Sequence, residues 1–265
     1  GWSLPRRVQR PSHARWLAAA QSFLNCAALR GYGHGCNGGG VGDVLQYMER
    51  FGLPDETCLH YTATDHTELS SPAEGLTLEQ HHCDVRNMCR NCMPKRKRDT
   101  PHASDDDDGD EEEEFHCWGI PEPITYSLES HGMVGTEGDV DASVSAMMSE
   151  IYQRGPIVCA IACDDRFDYG YDGGIFNDTS LTGDDVDHDV EVVGWGEEDG
   201  IKFWIARNSW GSYWGNVGFF KVQRGVNAMV IEDGWCWYAV PNVSVEQSVR
   251  NGEMVGSMDG LIRRS

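Results

Sequence analysis

A chain of 265 residues with a formal net charge of −22 is long enough for one large or two modest domains with real cores. The charge argues against nucleic acid and anionic membranes as partners, and no apolar run approaches the roughly 18 residues of a membrane span, so the sequence reads as a soluble acidic protein. Ten cysteines, with the tripeptides Asn177-Asp178-Thr179 and Asn242-Val243-Ser244, fit an oxidising route through the secretory system.

The first fifteen residues are basic and aperiodic. From Leu17 to Leu29 the chain is rich in Ala and Leu, and Leu17, Ala20, Leu24 and Ala27 stand near helical spacing, which predicts a helix ending before Gly31. Gly31 to Gly42, GYGHGCNGGGVG, is a loop whose backbone can approach a ligand closely; no Lys-Ser or Lys-Thr follows it, so it is not a phosphate loop. Asp43 to Phe51 reads as a helix with Val44, Leu45, Met48 and Phe51 on one face, Asp43 at its start and Gly52 as its stop.

Cysteines 58, 83, 89, 92 and 117 follow, among His60, His66, His81, His82 and His116. Cys83, Cys89, Cys92 and Cys117 have the thiolates for a zinc site, but only one C-x2-C pair is present where a zinc ribbon uses two; disulfides are the other reading. Between residues 94 and 114 the basic tetrad Lys95-Arg96-Lys97-Arg98 precedes Asp105 to Asp108, Asp110 and Glu111 to Glu114. Such blocks cannot bury apolar surface and are expected to be disordered. They are a solvated loop, a processing site, a calcium-attracting run or a regulatory tether.

Beyond Trp118 the pattern turns towards strands. Asp141 to Arg154 is predicted helical, with Val144, Met147, Met148 and Ile151 on one face and Gly155-Pro156 ending it; its methionines read as core, not as metal ligands. Strand signals follow at Ile157 to Ala162 and around Tyr171 to Phe176. Val190, Val192 and Val193 then make one short strand and Ile201, Phe203, Trp204 and Ile205 another, with Glu197 to Gly200 as turn material. A turn centred between Glu198 and Asp199 brings His188 within one position of Asn208, and side chains opposite or diagonal in an antiparallel pair lie roughly 4.5–8 Å apart. The carboxamide can then fix the imidazole's tautomer and leave its other nitrogen as a base or a partner for a thiol. Trp210 and Trp214 supply apolar faces that shield the pair. A strand follows at Gly218 to Val222, Cys236 ties the end back, and residues 241–265 read as a loosely attached tail.

The segments His188-Asp189-Val190-Glu191-Val192-Val193-Gly194-Trp195-Gly196 and Arg207-Asn208-Ser209-Trp210-Gly211, with Trp214-Gly215, resemble the histidine and asparagine motifs of papain-family cysteine peptidases, whose Cys-His-Asn arrangement is well known. Cys36-Asn37-Gly38-Gly39, Pro54-Asp55-Glu56-Thr57-Cys58 and Glu150-Ile151-Tyr152-Gln153-Arg154-Gly155-Pro156-Ile157 resemble the cathepsin Z branch in particular. The likeness runs from about Leu17 to Cys236, interrupted at 94–114. It implies an α+β, papain-like two-domain fold, with a helical, disulfide-rich left domain over residues 1–117, a β-rich, barrel-like right domain over 118–240 and a cleft between them.

The same resemblance implies that His188 and Asn208 are catalytic, that Gly38 and Gly39 pair main chain to main chain with a peptide substrate, and that no cofactor or metal takes part. It implies the disulfides Cys26–Cys83, Cys58–Cys89, Cys92–Cys117 and Cys159–Cys236, leaving Cys36 and Cys163 over. Peptides or proteins are the implied partners, a monomer the implied state, and a lysosomal, vacuolar or secreted location follows from the family. Cathepsin Z relatives trim single residues from carboxyl ends. The segment expected before Leu17, with a glutamine for the oxyanion hole and a Cys-Gly-Ser-Cys-Trp run holding the nucleophile, is not in the sequence. The left domain is therefore expected to be incomplete and the chain by itself inactive, as a peptidase lacking its thiolate or a relative that only holds peptides. A zinc- or calcium-dependent module centred on Cys83 to Glu114 is a further alternative.

Overall fold

A computed structural model describes residues 18–63, 83–94, 115–244, 254–255 and 262–263. The charged run 95–114 and residues 1–17 lie outside them, and the readings of those stretches are not addressed by the structure. The chain divides into two compact units: one takes in Leu128–Val240, the other Ala14–Ser127 together with Pro241–Ser265.

In the second of these units the helix Ala20–Cys26 runs into a 3-10 turn, Ala28–Arg30, and stops at Gly31 in the left-handed region. Of the predicted face Ala27 is buried and Leu17 lies outside the described residues, but the rest is not turned inward. Ala20 is exposed and Leu24 half-buried, whereas Gln21, Ser22, Asn25 and Cys26 are buried. These polar groups all have partners: Gln21 Nε2 donates to Asn25 Oδ1 (2.9 Å), Gln21 Oε1 accepts from Thr62, Ser22 Oγ donates to Met88 O (2.6 Å) and Asn25 Nδ2 to Asn87 O (2.8 Å). The Cys26–Cys83 bond holds this side of the helix against the segment that follows Cys83. Helix Val41–Phe51 buries Leu45, Tyr47 and Met48; Tyr47, fully buried, packs edge-on against Phe23 and Tyr32, while Val44 and Phe51 stay at the boundary.

Strands β1 (Arg90–Pro94) and β2 (Phe115–Gly119) pair antiparallel with Cys92 directly opposite Cys117, and the two are disulfide-bonded. Cys58–Cys89 completes the set in this unit. With Cys83, Cys89, Cys92 and Cys117 all oxidised, the four-thiolate zinc reading is overturned. The unit extends to Ser127 and not only to residue 117, because Leu53 and Tyr126 exchange backbone hydrogen bonds (3.0 and 2.8 Å). Asn242 N donates to Ser127 O, which places the first residues after Val240 here as well.

The other unit is a seven-stranded sheet in the order β3-β9-β4-β6-β7-β8-β5, made of β3 (Leu128–Val134), β4 (Ile157–Ala162), β5 (Ile175–Phe176), β6 (Val186–Glu198), β7 (Ile201–Arg207), β8 (Phe219–Gln223) and β9 (Cys236–Pro241). Adjacent strands from β9 through β8 run antiparallel, and β5 runs parallel to β8. Alternation puts Ile157, Cys159 and Ile161 of β4, Val190 and Val192 of β6, and Phe220 and Val222 of β8 into the core. The helix Val140–Gln153, capped by the Asp139 carboxylate on Ala142 N, buries Met147 and Ile151 into the same core. Cys159 and Cys236 face each other on β4 and β9 and are bonded.

Candidate active site

The hairpin β6–β7 sets the site, and its register differs from the reading. Glu198 pairs with Ile201, so the loop is Asp199-Gly200, both with positive φ (51° and 81°). This is the Asp-Gly two-residue turn whose twist suits a hairpin, and it lies one residue beyond the expected centre. A bulge at Val193 then shifts the ladder, and Arg207 faces Glu191. His188 pairs on its other side with Ile161 of β4. Asn208 leaves the ladder after Arg207, its N–H going to Gly218 O (2.8 Å), so the two side chains meet diagonally instead of head-on.

They do meet. His188 Nε2 and Asn208 Oδ1 are 2.8 Å apart, and Asn208 is only 7% exposed. The same Oδ1 accepts from Ser209 N (2.7 Å). Since that backbone N–H can only donate, the atom facing it is the carboxamide oxygen, and the ring nitrogen on its other side must carry the hydrogen. Nε2–H is thereby fixed as the donor, and Nδ1 is left to take or give a proton. Asn208 Nδ2 is buried and finds no acceptor among the described residues.

An indole platform backs the imidazole. Trp210 stacks on His188 with ring centroids 4.8 Å apart and planes inclined by 27°; Trp214 meets Trp210 edge-on at 5.1 Å, stacks on Tyr171 and donates from Nε1 to Asp168 O (3.0 Å). Phe167, fully buried, fills the space behind both tryptophans. The loop that presents Trp210 and Trp214 turns through Gly215, whose φ is +55° and where an added Cβ would stand 2.8 Å from Phe219 O. Only glycine fits there.

Around the imidazole the charge is negative. Asp187 Oδ1 accepts from Cys163 N (3.1 Å), which fastens the residue before His188 to the end of β4. The Asp168 carboxyl is held above the ordinary range by partial burial and then by Asp187, with His188 opposing. The carboxyl of Asp189 is likewise pushed up, by the packing around it, against His188, although the residue as a whole keeps an exposed surface. Cys163 is a free thiol in this neighbourhood, but burial and the carboxylates of Asp187, Asp168 and Asp164 push its ionisation far above the usual thiol range. It keeps its proton and has no nucleophilic thiolate to offer His188.

Cys163, Asp168 and Asp187 were not singled out as a group from the sequence. The available signal was the acidic spacing through Asp164, Asp165, Asp168 and Asp187, which acquires meaning only once β4 and β6 are paired. Gly38 and Gly39 lie in the other unit, just after the turn Gly35–Asn37. Gly38 has φ +100°, and a Cβ on Gly39 would stand 3.1 Å from Gly33 Cα. Both are exposed. Among the described residues no group of three or more His, Cys, Asp or Glu is arranged to hold a metal ion, and no helix is long and apolar enough to cross a membrane.

Residues 6–238 match a family model described as papain family cysteine protease. A cathepsin Z of Onchocerca volvulus is 32% identical over 206 residues, 77% of this chain and 51% of that protein. A tubulointerstitial nephritis antigen of Bos taurus is 26% identical over 85% of this chain and 43% of its own length. A digestive procathepsin L 3 of Tenebrio molitor larval midgut superposes with a TM-score of 0.58 at 22% identity, covering 85% of this chain and 56% of that one. The chain thus spans about half the length of the curated relatives it matches.

Proposed function

Because the chain belongs to the papain family of cysteine proteases, we propose that His188 and Asn208 are the acid–base pair of a peptide-hydrolysing site. The observation that carries this reading is the 2.8 Å contact between His188 Nε2 and Asn208 Oδ1, which reserves Nδ1 for proton transfer. In this mechanism a cysteine thiolate, paired with the protonated imidazole, attacks the scissile carbonyl. His188 gives its proton to the leaving amine, and water then hydrolyses the acyl-enzyme with the imidazole as base. Trp210 and Trp214 limit access of water to the pair, and Gly38 and Gly39 offer main-chain groups to the peptide.

This reading takes the thiolate from a Cys-Gly-Ser-Cys-Trp run like that of the family, and not from Cys36 or Cys163, the two cysteines outside the disulfides. Cys163 is disqualified by its raised ionisation, and no Cys-Gly-Ser-Cys-Trp run is present. We therefore expect the chain alone not to cleave peptides. The likeness to a cathepsin Z favours removal of single residues from carboxyl ends by the complete protein. A lysosomal, vacuolar or secreted setting, N-linked glycans at Asn177 or Asn242, and a monomeric state belong to the same proposal; the four disulfides support an oxidising compartment. A peptide-holding protein without catalysis is the second reading, favoured by the lack of a reactive thiol beside His188.

An active-site-directed epoxide tests the proposal. The 265-residue chain should remain unlabelled, whereas a longer natural product that includes it should be labelled once per molecule, and His188→Ala should abolish that labelling. Stoichiometric labelling of the 265-residue chain, or undiminished labelling of the longer product after His188→Ala, would overturn it.

A further inference from the structure

We propose that the Cys92–Cys117 bond is a reduction site: of the four disulfides it is the one that a dithiol opens in the folded protein, and its opening unpairs the outer end of the β1–β2 ribbon. The proposal goes beyond the peptidase reading and does not depend on it.

Access separates the four bonds. Thiol–disulfide exchange begins with a thiolate striking one sulfur and expelling the other, so the attacked residue has to be open to solvent. Cys92 and Cys117 are both exposed. Cys159 and Cys236 are sealed at both ends, each 0% exposed. Cys26 and Cys89, at 0% and 4%, are joined to Cys83 and Cys58, which are only half-buried. Loop length points the same way. The sequence separation across Cys92–Cys117 is 25, against 31, 57 and 77 for the others. This bond therefore takes the least entropy from the unfolded chain and, by linkage, is the one that folding stabilises least.

The surroundings decide what opening does. Strands β1 and β2 form a two-stranded sheet of their own, and a lone hairpin is marginal in water. Its inner end is anchored. Arg90 N donates to Cys58 O (3.0 Å) and Ile120 N to Cys89 O (2.9 Å), and Gly119 lies so near Val85 that an added Cβ would stand 2.6 Å from its Cγ2. The outer end has no such support: Met93 and Phe115 are 56% and 50% exposed, and Pro94 and His116 are exposed as well. Without the sulfur link, the rungs Met93–His116 and Pro94–Phe115 have to close the intervening residues 95–114 by backbone pairing alone, against the entropy of loop closure. They separate, while the Arg90–Gly119 rung stays.

The exchange balances. The first thiolate of the dithiol forms a mixed disulfide with one cysteine and expels the other; its second thiolate then displaces the bound cysteine. The dithiol leaves as its own disulfide, and Cys92 and Cys117 each end as a protonated thiol. Because the inner rung holds the register, an oxidant can restore the bond.

Graded reduction of the 265-residue chain, with the free thiols first blocked by iodoacetamide, tests the proposal. After brief exposure to dithiothreitol and trapping with N-ethylmaleimide, peptide mass spectrometry should find Cys92 and Cys117 labelled at least about tenfold faster than any other disulfide pair. Hydrogen exchange in that trapped protein should quicken at least about tenfold at residues 91–93 and 115–117 and stay unchanged in β4 and β6. The double variant Cys92→Ser, Cys117→Ser should show the same quickening with no adduct attached. Opening of Cys58–Cys89, Cys26–Cys83 or Cys159–Cys236 first, or at the same rate, overturns the inference. So does unchanged exchange of the ribbon in both the trapped protein and the double variant.

Discussion

Oδ1 of Asn208 serves two donors at once, His188 Nε2 at 2.8 Å and Ser209 N at 2.7 Å, and this shared acceptor sets the orientation of the imidazole. Asn208→Ala removes it. In the longer, thiol-containing protein the rate of epoxide labelling should fall by about 10²-fold, the scale of a misdirected general acid–base group, and fluorescence of the stacked Trp210 should report the freed ring. Asn208→Asp keeps an acceptor in place and should restore much of the orientation. Glu232 is a second residue of this kind, buried completely among apolar neighbours. Its Oε1 accepts from Trp204 Nε1 (2.8 Å) and Gly225 N (2.7 Å), and its Oε2 from Asn227 N (2.7 Å). Those bonds hold a turn in which Asn227, Met229 and Val230 all sit at positive φ, strained for residues with a Cβ. Glu232→Ala leaves the buried Trp204 indole N–H and the part-buried amides of Gly225 and Asn227 without that acceptor and should cost about 1–3 kcal/mol in urea unfolding.

At the scale of elements, the Cys159–Cys236 bond joins two strands of one sheet and closes a separation of 77 residues. Replacing both cysteines by serine should lower the unfolding free energy by about 4–5 kcal/mol in the chain-entropy account, whereas the 25-residue separation of Cys92–Cys117 predicts about 3–4 kcal/mol; paired denaturation curves compare them. The helix Val140–Gln153 and strands β4, β6, β7 and β8 were legible in the sequence because each has an apolar partner surface, so period predicts burial, whereas β3 and β9 were not singled out. Val140–Gln153 and the valines of β6 are examples. The register of β6 and β7 was missed at its tip, where Asp199-Gly200 and not Glu198-Asp199 makes the turn, and the bulge at Val193 leaves no mark in a run of valines. The helix Ala20–Cys26 misled for the opposite reason: on its buried side Ser22 and Asn25 donate to distant carbonyls and Gln21 accepts from the Thr62 N–H, and polar residues at helical spacing read as solvent-facing. His188 and Asn208 could be matched from their motifs, and Asp187 and Asp189 flank His188 in the sequence itself, but Asp168 comes from a separate segment and needed the fold.

Across the molecule, the net charge of −22 is distributed among carboxylates of opposite thermodynamic sign. Asp168 and Asp189 have raised ionisation, chiefly through burial. Each contributes stability that is complete below the unfolded-state value of roughly 4 and is lost as pH rises through its higher folded value. Asp178 and Asp185 are depressed, Asp178 chiefly by Ser180 and then by Arg166, Asp185 by Thr182; their contribution is present above roughly 4 and disappears as pH falls through the lower folded value. Urea midpoints should therefore decline in the native chain as pH rises above the unfolded-state value of roughly 4. Asp168→Asn should flatten that decline, and a midpoint that climbs steadily through this range would contradict the assignment.

The rung that places Pro94 opposite Phe115, two rungs from the bonded pair Cys92 and Cys117, has a practical corollary. It fixes both ends of the intervening residues at one narrow neck, so whatever is spliced between them is closed by the neck and not by its own length. Doubling such a loop costs only about 0.6 kcal/mol. A fluorescent reporter or affinity epitope grafted at this point should leave the melting behaviour of the sheet unit nearly untouched, making the neck the natural handle by which to follow or recover this protein.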